Sequence, residues 1–306
     1  MKNIEDSSAF SDTMLARRIE YLSGFMLPER YRTLCRTVEQ RTRYMTICME
    51  NTFHPQNASA LVRNCEAFGV QELHAVEELC HFSPNVQIVR GTDKWVEIHK
   101  HPTTAELIAS LRARGYRIVA TSPHHKDTTP QTFDVSAGPF ALVFGTEHSG
   151  ISDEVMAEAD EFLRIPMCGM VESLNVSASA AILLYTLSTR VRALGTTATT
   201  DPVASSQSLS APSEPVSGTM EKQAALNGSD SVAMGTDEPL MGEALLDTSR
   251  PRAVWQLSLR DRNEVLYRWL QQSIRDPQGA LTRFPDKGDL CAGRPINNDK
   301  SLNKMR

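Results

Sequence analysis

Three short stretches concentrate the residues able to do chemistry. In "NTFHPQNASALVRNCEAFGV", which begins at Asn51, Asn57 stands near the expected start of a helix and Arg63 follows six residues later. That spacing is about one and two-thirds helical turns. Arginine's five fixed donors suit a phosphate, whereas a structural reading makes Asn57 an N-cap and Arg63 a surface cation whose stem snorkels. In "LVFGTEHSGIS", Gly145 and Gly150 have Walker A spacing, but Ile151 occupies the place of the phosphate-reaching lysine, so no P-loop is expected. What remains is a glycine-permitted turn with Glu147 at its tip, and with Ser152, Asp153 and Glu154 suited to starting the next helix. In "IPMCGMVESLNVSASAAILLY", from Ile165 on, Pro166 ends a strand, Gly169 relaxes the backbone, and Ser173 and Asn175 offer polar groups beside a helix. The small residues Ser177 to Ala181 admit either another helix or a ligand at close range.

The elements around these stretches say where such groups would meet. Apolar runs at "YMTICMEN", "ELHAV", "YRIVATS", "FALVFGTE" and "EFLRIPM" read as strands, separated by helical segments such as "NASALVRNCEAFG" and "TTAELIASLRARG". Continuous apolar strands alternating with helices predict an α/β fold, a parallel sheet flanked by helices on both faces. Ligands in such sheets bind beyond the carboxyl ends of the strands. The three stretches begin there.

Composition narrows the class. The 306 residues, 41% of them hydrophobic, suffice for a full core. Six scattered cysteines include no C-x-x-C pair, and no apolar run approaches the roughly 20 residues that span a bilayer. A cytoplasmic protein without membrane contact is expected. The eight histidines form no H-E-x-x-H or Cys/His ligand pattern, so no metal is expected. The absence of G-x-G-x-x-G weighs against a nicotinamide enzyme, and that of G-x-S-x-G against an α/β-hydrolase.

The net charge of -5 resides in one segment: residues 196–252 carry eight acids against three bases, and the rest of the chain balances 29 against 29. That segment is rich in Ser, Thr, Ala, Pro and Gly, and its composition predicts a disordered insert. Residues 17–43 carry seven arginines against three glutamates, a local excess suited either to phosphates or to a solvated helix face. After the insert, "SLRDRNEVLYRWLQQSIRD" opens with a capping box, Ser258 and Asp261, and spaces Val265, Leu266, Trp269, Leu270 and Ile274 as an amphipathic helix in need of a surface.

Taken together and in order, the three stretches resemble the signature motifs of the SPOUT superfamily of RNA methyltransferases, and most closely the TrmH-type tRNA guanosine-2'-O-methyltransferase family. The similarity covers about residues 28–195. It divides the chain into an N-terminal extension (1–27), the SPOUT domain (28–195), the insert (196–252) and a C-terminal helical extension with a polar tail (253–306). The resemblance implies a C-terminal trefoil knot, a rare exception to ordinary chain topology, and a homodimer that binds S-adenosyl-L-methionine and tRNA, not DNA. It implies catalytic roles for Asn57, Arg63, Glu147, Ser173 and Asn175, and cofactor contacts at Thr121, Gly145, Ile165 and Leu174. The implied activity is 2'-O-methylation of the D-loop guanosine at position 18 of tRNA. Ribosomal RNA as substrate, or a catalytically silent RNA-binding module of the same fold, are the alternatives.

Overall fold

A computed structural model describes residues 4–123, 128–146, 149–195 and 252–285. The insert expected to be disordered lies outside the described residues from 196 to 251, as do Glu147 and the polar tail from 286. The described residues belong to one compact unit, Met1–Thr197 with Thr248–Arg306. In chain order they form α1 (Asp12–Ser23), α2 (Pro28–Val38), β1 (Met45–Glu50), α3 (Pro55–Phe68), β2 (Glu72–Val76), α4 (Val86–Val89), β3 (Glu97–His101) and α5 (Thr104–Ala113). Then follow β4 (Arg117–Thr121), β5 (Phe140–Phe144), α6 (Asp153–Glu158), β6 (Glu161–Leu163), α7 (Val176–Ala193), α8 (Leu259–Ser273) and α9 (Pro277–Leu281).

The six strands make one sheet in the order β3-β2-β1-β5-β4-β6, and every strand pair is parallel. The central strands β1 and β5 are buried along their whole length, which is why both read as unbroken apolar runs. Alternate residues serve opposite faces. Ile47, Met49, Leu142 and Phe144 pack with α3 and α7 in one cluster, while Cys48, Ala141 and Val143 pack with α5 in the other. Each fully buried aliphatic or aromatic side chain contributes about 1.5–3 kcal/mol.

Five strands fall where the apolar runs predict them. The sixth, β3, has the sequence Glu-Ile-His-Lys-His with one aliphatic residue, so no hydrophobic pattern announces it. It is an edge strand, paired only to β2 from Glu72↔Glu97 to Val76↔His101, and lysine on an edge discourages pairing with further chains.

The helix after the insert finds its surface on α1 and α2. Ser258 Oγ accepts from the Asp261 amide at 3.0 Å, as the capping box predicts, and Val265, Leu266, Trp269 and Leu270 are buried. Polar ties fix it to the sheet. Thr42 Oγ1 donates to the Trp255 carbonyl at 2.6 Å, Arg268 pairs with Glu97 at 3.0 Å, and Arg43 pairs with Asp261. Among the described residues no helix is long and apolar enough to cross a membrane.

Candidate active site

The ends of β4, β5 and β6, the loop before α7 and the start of α6 enclose a cavity of about 610 Å³, within the size range of small-molecule sites. Thr121, Gly145, Ile165 and Leu174 all line it, and so do Ser173 and Asn175. These residues lie up to 54 positions apart in sequence, from Thr121 to Asn175, and the parallel sheet collects them because its strands all end at one edge.

Gly145 is sterically required. A Cβ there would stand 2.0 Å from the Gly150 carbonyl carbon and 2.2 Å from the Ile151 nitrogen. The turn closes through reciprocal backbone bonds between Thr146 and Gly150 of 2.9 and 3.2 Å, with Gly150 at φ 72°. The Gly145 to Gly150 spacing therefore serves a closed turn against the cavity, not a phosphate cradle. Next in the chain, Ser152 caps α6 and donates its amide and hydroxyl to Glu50 at 3.0 and 2.6 Å. Thr104 Oγ1 donates to the same carboxylate at 2.9 Å. Glu50 is 2% exposed, so these bonds supply the partners that a buried carboxylate requires, and they pin the ends of β1, α5 and α6 together. Sequence reasoning missed Glu50 because it closes an apolar strand and its partners are remote in the chain.

Asn57 and Asn175 meet. Asn175 is the N-cap of α7, its Oδ1 accepting from the Ser177 amide at 2.9 Å and hydroxyl at 2.6 Å. Its Nδ2 donates to Asn57 Oδ1 at 3.1 Å. Asn57 itself is buried in the first turn of α3, where the N-cap is His54 without a side-chain capping bond, so Asn57 does not cap its helix. A second tie, Asn64 Nδ2 to the Ser177 carbonyl at 2.9 Å, holds the same two helices.

Arg63 is placed elsewhere. It is exposed on α3, donates to the Ile88 carbonyl at 2.9 Å, and is not among the residues lining the cavity. Six residues along a helix rotate a side chain by about 240°, which turns Arg63 away from the face that carries Asn57. Among the described residues, the charged groups lining the cavity are Asp153 and Glu172, with no lysine, arginine or histidine. Glu172 lies within one of the stretches singled out from sequence and Asp153 directly follows another, yet neither pattern marked them as cavity residues.

Apart from Arg17, which donates to the Pro285 carbonyl at 3.3 Å, the arginines of the basic stretch 17–43 divide into two sets. Arg18 pairs with Glu5, Arg41 with Glu66, and Arg43 with Glu72, Glu97 and Asp261. Arg30, Arg32 and Arg36 lie exposed on α2, Arg30 resting 5.5 Å from the Trp95 ring centre. Near the Arg43 network, Glu72, Glu97 and His99 present donor atoms close enough together to hold a metal ion. Their carboxylates already face three guanidiniums, those of Arg43, Arg114 and Arg268, so the group reads as an ion-pair network. Burial pushes the Glu72 carboxyl up, but His74, Arg43 and Arg114 more than offset it and hold it at about 2. Burial and then the neighbouring His74 and His99 depress His101 to about 4.

Residues 44–185 match the model of the SpoU rRNA Methylase family. The chain is 34% identical over 181 residues to the tRNA (guanosine(18)-2'-O)-methyltransferase of Borreliella burgdorferi, an alignment covering 59% of this chain and 83% of that one. It is 36% identical over 161 residues to the enzyme of the same name from Escherichia coli, covering 52% and 69%. Among solved structures it is similar to an A. aeolicus TrmH/SpoU tRNA modifying enzyme, with 32% identity, a TM-score of 0.49, and 54% and 84% of the two chains covered.

Proposed function

This chain belongs to the SpoU methylase family, with the tRNA (guanosine(18)-2'-O)-methyltransferases as its relatives, and from that premise we propose that it methylates the 2'-hydroxyl of the D-loop guanosine of tRNA with S-adenosylmethionine as donor. The observation that carries the reading is the cavity at the strand ends, where Thr121, Gly145, Ile165 and Leu174 stand beside the Asn175–Asn57 pair. Family membership implies the trefoil knot in the segment that bears Ile165 and Leu174.

The donor set fits such a cofactor. The cavity has room for it, Thr121, Gly145, Ile165 and Leu174 line its wall, and its only charged lining groups among the described residues are carboxylates. When bound, the cofactor supplies an electrophilic methyl group on a sulfonium. The chain's own residues would supply position. Asn175, fixed by Ser177 and Asn57, presents a rigid edge to the cavity, and in-line alignment of that kind accounts for a large part of such a rate. A guanidinium offers five donors and no acceptor, so the role of Arg63 here is to hold a substrate phosphate and orient the adjoining ribose, with water or that phosphate taking the proton.

Among the described residues no cation lines the cavity, and Arg63 is exposed away from it on the same chain. A homodimer reconciles the two, with Arg63 of one copy completing the cavity of the other. Supporting this, α7 next to α3 leaves Ile182 and Tyr185 exposed, at 40% and 64%, apolar surface of the kind that association covers. Tyr185 stacks edgewise on Phe68 of α3 at 6.1 Å. The expected site of action is the cytoplasm, where tRNA is the substrate.

Incubating the chain with bulk tRNA, ribosomal RNA and methyl-labelled donor, then mapping the labelled ribose, tests the reading. Label at the position-18 guanosine of tRNA is the expected result. Label confined to ribosomal RNA would move the substrate to the alternative, and donor binding without transfer to either would leave the silent module.

A further inference from the structure

Building on the cofactor reading above, we infer that Asp153 and Glu172 make this cavity prefer the cationic methyl donor to its demethylated product, so that the two carboxylates set substrate preference and ease product release. Both line the cavity, and no basic side chain lines it among the described residues. Asp153 opens α6 and Glu172 stands in the loop that leads to Ser173 and Asn175, so the two approach the cavity from different elements.

The reaction changes the one property to which two carboxylates respond. The donor carries a sulfonium, an ammonium and a carboxylate, for a net charge of +1. On transfer the methyl carbon leaves sulfur, the bonding pair stays on sulfur, and the ribose oxygen that gains the methyl loses its proton to solvent or a base. The product is a neutral thioether zwitterion. Adenine, ribose and amino-acid contacts are common to both molecules, and backbone contacts hold both alike. A field from Asp153 and Glu172 distinguishes the two molecules through the lost charge alone.

A structural role gives a different expectation. First-turn acids suit helix N-termini, which would explain Asp153 without any ligand, and Glu172 would be a solvated loop acid. Neither role distinguishes donor from product. The two acids also face the cleft that must receive a polyanion, where they weaken phosphate binding, so their placement has a cost that a compensating role in cofactor choice explains.

Both side chains are exposed, which limits each contribution to roughly two- to fivefold in affinity. Calorimetric titration of the full chain with S-adenosylmethionine and, separately, S-adenosylhomocysteine measures it. In Asp153→Asn/Glu172→Gln the donor should weaken roughly tenfold while the product changes less than about twofold. Rising salt should weaken donor binding to the wild type and leave the double variant indifferent. Asp153→Glu should keep the wild-type preference. Equal weakening of both ligands, or no change in either, overturns the inference. Wild-type chain that binds neither ligand overturns the cofactor reading, and this inference with it.

Discussion

Asn175 Nδ2 donates to Asn57 Oδ1 at 3.1 Å, joining the start of α7 to the first turn of α3 across 118 residues of chain. The same Asn175 caps α7 through its Oδ1, so one side chain both stabilises a helix and sets the edge of the cavity. The two duties separate by substitution. Asn175→Ser keeps a good cap and loses only the amide bond to Asn57, and should lower the unfolding free energy by no more than about 1 kcal/mol in urea titration. Methyl transfer should nonetheless fall at least about tenfold, because the cavity edge loses its anchor. Asn175→Ala should show both losses, with about 1–2 kcal/mol of stability gone.

In the proposed homodimer Arg63, bonded within its own chain to the Ile88 carbonyl at 2.9 Å, serves the neighbouring copy. Arg63→Ala should bind the donor as the wild type does and transfer almost nothing. Mixing Arg63→Ala chains with Asn175→Ala chains, followed by subunit exchange, should restore up to about one quarter of wild-type turnover, since a mixed dimer then holds one complete site. A mixture as inactive as its two components would show that Arg63 acts within its own chain or not at all.

The Gly145 turn permits no side chain. A Cβ at 2.0 Å from backbone has no rotamer by which to escape, so Gly145→Ala must displace the Thr146–Gly150 bridge. Donor affinity should fall at least about tenfold and stability by about 1–3 kcal/mol. Calorimetry and thermal denaturation on the same sample read both.

Local pattern reveals some of this molecule and conceals the rest for a physical reason. β1 and β5 are legible because burial on two faces demands unbroken apolar runs. The helix at Leu259–Ser273 is legible because Ser258 and Asp261 cap it within four residues. β3 is not, since an edge strand facing a polar network needs no such run. Glu50 is invisible for another reason: its partners Thr104 and Ser152 lie 54 and 102 residues away, and nothing nearby in sequence signals a buried carboxylate. The three motifs place Asn57, Ser173 and Asn175 in one site by resemblance, and the six-residue helical spacing already sets Arg63 on another face than Asn57, yet the bond between the two asparagines emerges only from the packing of α3 on α7.

The ion-pair network at the β2–β3 edge makes stability depend on pH in two steps. His101 has its folded value lowered from 6.5 to about 4, first by burial and then by His74 and His99. Between those values the unfolded chain binds more protons, so stability falls as pH drops from about 6.5 toward 4. Glu72 follows with the same sign. Burial opposes ionisation, but His74, Arg43 and Arg114 hold its folded value at about 2 against 4.5. The stability it contributes is present in full above about 4.5 and is lost as pH falls through 2, on the order of 3 kcal/mol over that range. Urea unfolding at a series of pH values should therefore decline first below 6.5 and again below 4.5. His101→Gln should flatten the upper decline alone. Glu72→Gln should lower stability at pH 7, because it leaves Arg43 and Arg114 short of a buried partner, and it should flatten the lower decline. A wild-type profile level between pH 7 and 4 would remove the first step from the account.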